Sequence, residues 1–134
     1  MITRQVRIKG WVATFLFSIH GHNEREVLAR LLNCAPPKDI YDDVADKLEA
    51  NQPNEGFTYS NTKLRESLVY IGPTTSGAEF LSSFVHELAH LVCDICLTKK
   101  ISLKGEKIAY MQGDIATQLS DIVCYLSCDH CRDA

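Results

Sequence analysis

This chain lacks any strong excess of charge. Fourteen Lys and Arg stand against seventeen Asp and Glu, a formal net charge of −3. No basic surface is expected to gather nucleic acid or anionic lipid. Long apolar runs are missing as well. No uninterrupted stretch approaches the roughly 20 residues that span a bilayer, so no membrane partner is expected. Repeats and low-complexity segments are absent, which argues against solenoids and tethers. Four prolines and seven glycines punctuate 134 residues, and none of them marks a boundary between domains. One domain, residues 1–134, is expected, long enough for one hydrophobic core. Nor is there a convincing secretion leader. Arg4, Arg7 and Lys9 precede the apolar stretch Trp11 to Ile19, but Ser18-Ile19-His20-Gly21-His22 offers no small-x-small cleavage site. Val6, Ile8 and Gly10 alternate with charged residues, so a strand is expected there instead.

Cysteine is not scarce. Cys34, Cys93, Cys96, Cys124, Cys128 and Cys131 could form three disulfides in a secreted protein. The close pairs fall on segments that read as helical. There, i, i+3 cysteines are more often reduced core residues or metal ligands. A reducing, cytoplasmic setting is the expectation. Cys93-x-x-Cys96 and Cys128-x-x-Cys131 together also have the spacing of a four-cysteine zinc site, although Val92 and Ile95 favour core packing for the first pair.

The element pattern predicts an α+β domain. Ile2 to Ile19 reads as one strand, or two with a kink at Gly10. Asn23 with Glu26 has the form of a capping box opening a helix that Ala35-Pro36-Pro37 stops. Asp39 to Ala50 is a second helix and Asn51 to Gly56 a loop. Phe57 to Ser60 and Ser67 to Gly72 read as strands joined by Asn61 to Glu66. Ser76 with Glu79 forms another capping box, opening a long helix that ends at Lys99 and Lys100. A last helix runs from about Glu106 to Ser127, before a Cys/His-rich tail at about 128–134. The sheet is expected to be small, mixed and twisted, with about three to four strands.

Residues 86–90 read His-Glu-Leu-Ala-His. A helix advances about 100° and 1.5 Å per residue, so His86 and His90 lie one turn apart on one face. Their imidazoles can converge on one metal ion, and Glu87 can take a proton from water beside it. That is the arrangement of zinc hydrolases. Hydrolytic zinc takes three protein ligands and keeps one position open, and four features compete for the third. Glu106 is the first choice: it opens a helix whose Ala109 and Gly113 would let it approach the metal helix closely. Cys96 occupies the place of the last histidine in H-E-x-x-H-x-x-G-x-x-H, but Cys93 replaces the glycine that turns the chain back to the metal. Asp94 and Cys93 share the histidine face one turn further on; Asp94 suits an acceptor for a histidine N–H. His130 would need the tail to reach the site. His20 and His22 suit a solvated turn, Trp11 the core, and Tyr59, Tyr70 and Tyr110 the core or rim rather than an oxyanion donor.

His86-Glu87-Leu88-Ala89-His90 followed by Glu106-x-x-Ala109-Tyr110 resembles the gluzincin class of zinc metallopeptidases. It is most similar to their short members, the minigluzincins, and to small bacterial and phage proteins with the same pattern. The resemblance covers roughly residues 67–127 and implies a zincin-like fold. It implies that His86, His90 and Glu106 bind Zn2+ and that Glu87 is the general base. One departure is Tyr110, where larger members carry an acid that orients a histidine; Asp114 or a backbone carbonyl would then supply that support. The implied partner is a peptide or protein substrate, paired by β-augmentation to the strand Ser67 to Gly72. A non-catalytic interaction domain and a four-cysteine zinc module are the alternatives.

Overall fold

The computed structural model describes residues 1–52 and 56–132, so residues 53–55 of the expected loop Asn51 to Gly56 lie outside the described residues. Four strands, β1 (Ile2–Ile8), β2 (Trp11–Phe17), β3 (Gly56–Asn61) and β4 (Glu66–Ile71), form one mixed sheet in the order β1-β2-β4-β3. The hairpin β1–β2 turns on Lys9 and Gly10, both at positive φ (48° and 78°). That two-residue geometry matches the right-handed twist of the strands it joins. β2 and β4 run parallel, and β3 returns antiparallel on β4.

Side chains alternate across a strand, and here both faces of the sheet are covered. Trp11, Ala13, Phe15 and Phe17 of β2, with Val69 and Ile71 of β4, pack under α3 (Gly77–Lys99), α4 (Glu106–Gln118) and α5 (Ser120–Ser127). Leu16, Leu68 and Tyr70 face the other way, onto Val27 and Leu31 of α1 (Glu24–Asn33) and Val44 and Leu48 of α2 (Lys38–Ala50). The domain is three layers deep, with α3 as its central long helix. Among the described residues, α3 is the one helix that by length and composition could cross a membrane, contrary to the count of apolar runs. Its apolar stripe is instead the middle of the core: Phe80, Phe84, Leu88, Leu91 and Ile95 lie against the sheet.

The caps are unequal. Ser76 Oγ accepts the Glu79 amide at 3.2 Å, and Glu79 accepts in return from the Thr75 amide and hydroxyl. Asn23 makes no side-chain cap, so the expected box at α1 does not form. The expected single helix from Glu106 to Ser127 is two. It breaks at Leu119, which is buried, and the bend lets Ile122 and Leu126 of α5 stay on the core of α3. No proline or glycine marks that break, because packing rather than backbone chemistry makes it. The tail ends in α6 (Asp129–Arg132), tied to the start of α3: Asp129 Oδ1 accepts the Gly77 amide at 2.6 Å, and Arg132 donates to the Thr74 carbonyl at 2.8 Å.

Gly77 marks the closest backbone approach in that contact. A β-carbon there would fall 2.0 Å from the Ser127 carbonyl oxygen, which cannot move without α5. Gly77→Ala is expected to lower stability by about 2–3 kcal/mol in urea unfolding at unchanged slope. Gly113, exposed in α4 with nothing within 4 Å of an added β-carbon, should respond oppositely. Gly113→Ala is expected to add roughly 0.5–1 kcal/mol.

Candidate metal centre

The stripe that anchors α3 decides where its polar residues go. At about 100° per residue, His86 and His90 fall roughly opposite the sheet-facing stripe, and Glu87 and Asp94 fall on one flank. That flank lies beneath β3, the edge strand. Val92 and Cys96 fall on the other flank, toward α4, which packs on α3 and on β1 at the far edge of the sheet.

The two imidazoles face one another. His86 Nε2 and His90 Nε2 are 3.3 Å apart. Two nitrogens bound to one zinc at about 2.0–2.1 Å in tetrahedral geometry are separated by about 3.3 Å. The donor atoms of His86, Glu87 and His90 all lie within 4.8 Å of one another, and among the described residues this is the one such group of His, Cys, Asp and Glu. The two imidazole nitrogens at this spacing fit zinc, with the Glu87 carboxylate beside them.

Glu87 is only 7% exposed. Thr58 Oγ1 donates to Glu87 Oε1 at 2.9 Å and also lies 3.2 Å from the Glu87 carbonyl. The other oxygen, Oε2, lies 3.9 Å from His86 Nε2. Gly56 is set by its neighbour strand: an added β-carbon would stand 2.6 Å from the Tyr70 carbonyl oxygen and 3.6 Å, an ordinary contact, from Oε2. One carboxylate oxygen is thus anchored and the other faces the histidine pair. His86, Glu87 and His90, with Gly56, Phe57, Thr58, Lys47 and Asp94, line an open groove of about 340 Å³.

Asp94 forms the end of a chain of hydrogen bonds from the core. Trp11 Nε1, which can only donate, gives its hydrogen to Ser67 Oγ at 2.9 Å. Ser67 must then donate to Ser60 Oγ at 2.6 Å, and Ser60 donates to Asp94 Oδ2 at 2.6 Å. Asp94 is held by a strand hydroxyl, not by a histidine N–H as expected. Thr58, Ser60 and Gly56 escaped the sequence reading. Their signal was the alternation of small polar and aromatic residues in Gly56-Phe57-Thr58-Tyr59-Ser60, which puts the small ones on the α3 side.

The structure does not bring Glu106 to the imidazoles. Glu106, Ala109, Tyr110 and Gly113 share one face of α4, and all four are exposed, Tyr110 by 71%. Met111 and Ile115 hold α4 to the core, so the small residues are not the contact face. Asp114, on the exposed side, lies outside the group as well.

The two close cysteine pairs are not brought together among the described residues either. Cys96 is fully buried in the core. The tail docks at Gly77, and Cys93 and Cys96 lie sixteen and nineteen residues further along α3, about 24–28 Å away. His130 shares that docked turn and is outside the His86 group. Trp11 and Tyr70 are core residues, and Tyr59, opposite Leu68, packs against the α1–α2 core on the face away from the groove. His22 is not merely solvated: its Nδ1 pairs with the Tyr70 hydroxyl at 2.6 Å and its Nε2 with the Gln52 carbonyl at 2.9 Å. A carbonyl only accepts, so Nε2 carries the proton and Nδ1 accepts from Tyr70. Burial pushes the Tyr70 hydroxyl up to about 12, so it remains a donor. His20 is exposed in the turn.

Comparison with protein-family models, curated proteins and solved structures returned no match.

The Thr58–Glu87 bond is the support most open to test. Thr58→Val keeps the shape and removes the donor. It is expected to cost about 1.5–3 kcal/mol of stability in urea unfolding, the range for a hydrogen bond to a charged group.

Proposed function

We propose that this chain is a zinc-dependent hydrolase acting on peptide bonds. The observation that carries the reading is the facing pair His86 Nε2 and His90 Nε2 at 3.3 Å, with the free oxygen of Glu87 beside it. His86 and His90 would hold the ion. Zinc, when bound, supplies Lewis acidity, lowering the pKa of water toward 7 and polarising a carbonyl.

The chain's own residues do the rest. Thr58 fixes Glu87 Oε1, so Oε2 is the oxygen that takes the proton of the attacking water and returns it to the leaving amine. β4 is internal, between β2 and β3, so it is not the strand that receives a peptide. β3 is the edge strand, and its Gly56, Phe57 and Thr58 line the same groove as the histidines. A substrate in extended form would add to β3 by main-chain hydrogen bonds.

One observation favours a second reading. Hydrolytic zinc sites use three protein donors, and Glu106 is exposed outside the group. A two-histidine site without turnover would suit a metal-dependent interaction domain.

Titration of chelator-stripped protein with zinc is expected to give about one ion per chain, weakened at least tenfold in His86→Ala. Glu87→Gln should keep the ion and lose about 10²- to 10⁴-fold in cleavage of an unfolded protein substrate. Full zinc affinity in the His86→Ala/His90→Ala double variant overturns both readings. Zinc binding without turnover, unchanged by Glu106→Ala, selects the second.

A further inference from the structure

Cys128 and Cys131 lie in a part of the fold that the proposed hydrolysis does not use. Cys128 ends α5 in extended backbone (φ −95°, ψ 113°) and directly precedes α6. The Cys131 amide N–H is directed at Cys128 Sγ, with N···S 3.4 Å. That donor holds the Cys128 thiol below its usual range, while interaction with Cys128 raises that of Cys131. Cys128 Sγ faces a backbone N–H donor, which favours its thiolate, so Cys128 is the sulfur placed to attack. Both residues are partly exposed, whereas Cys34 and Cys96 are buried and their thiols are pushed up by burial.

We propose that Cys128 and Cys131 form a redox-active dithiol that exchanges with low-molecular-weight or protein disulfides. Cys128 thiolate attacks one sulfur of the external disulfide. That S–S bond breaks, and one thiolate leaves with the electron pair and takes a proton from solvent. Cys131 then loses its proton to solvent and attacks Cys128 Sγ in the mixed disulfide. The second external thiolate departs, and the Cys128–Cys131 bond closes. Two electrons pass from the protein to the external disulfide, which ends as two thiols. Cys128 and Cys131 stand three apart on one turn, with Cys128 Sγ against the Cys131 amide, so the two side chains are neighbours. The turn concerned also carries Asp129 on the Gly77 amide and Arg132 on Thr74, so the exchange occurs at the clamp on the first turn of α3.

The test is reaction of the reduced full chain with oxidised glutathione, followed by alkylation and peptide mapping. The expected product is a Cys128–Cys131 disulfide. In Cys131→Ser the reaction should stop at a glutathione adduct on Cys128. Cys128→Ser should slow adduct formation over residues 124–131 at least tenfold. Cys124, exposed one turn before Cys128, is the internal reference in unaltered protein, so the result does not depend on a variant folding. A Cys124–Cys128 disulfide, or modification of Cys128 no faster than Cys124, overturns the proposal.

Discussion

The packing of α3 on the sheet is the constraint from which the site follows. Phe80, Phe84, Leu88, Leu91 and Ile95 must face β2 and β4, because that contact is the centre of the larger core. A helix has one phase. Once that stripe is seated, His86 and His90 are forced to the opposite side and Glu87 to the flank under β3. Burying a carboxylate without partners is costly. The Thr58 hydroxyl, donating to Oε1, is what makes the position of Glu87 tolerable.

The edge strand therefore has two tasks. Its aromatic residues, Phe57 and Tyr59, pack on the α1–α2 side of the sheet. Its small polar residues, Thr58 and Ser60, reach down to Glu87 and Asp94. Ser60 is also the last step of the chain that starts at Trp11, so the rim of the groove is tied to the core by hydrogen bonds in one direction. Such a network holds side chains in single positions because each hydroxyl has one proton to give.

The tail has a comparable logic at the other end of α3. Gly77 lets the backbone of α5 come close, and Asp129 and Arg132 then bind the turn that begins the helix. The Cys/His-rich segment is thereby a structural brace that holds two neighbouring thiols, remote from the imidazole pair.

Local patterns were enough to read the strands, the long helix, the cap at Ser76 and the pairing of His86 with His90, because each depends on residues within a turn or two of one another. The α+β class followed from the order of those patterns. What lay beyond sequence were relations between elements. Periodicity does not say which strand sits at the edge, so β4 looked like the peptide-binding strand until the sheet order put β3 there. Nor does it say which face of α4 seeks the core: Met111 and Ile115 won over the small face of Ala109 and Gly113, and Glu106 turned outward with the latter. Two cysteine pairs with matching spacing were held apart by the length of α3. Distance along the chain encodes local geometry, but only the packed core decides which surfaces meet.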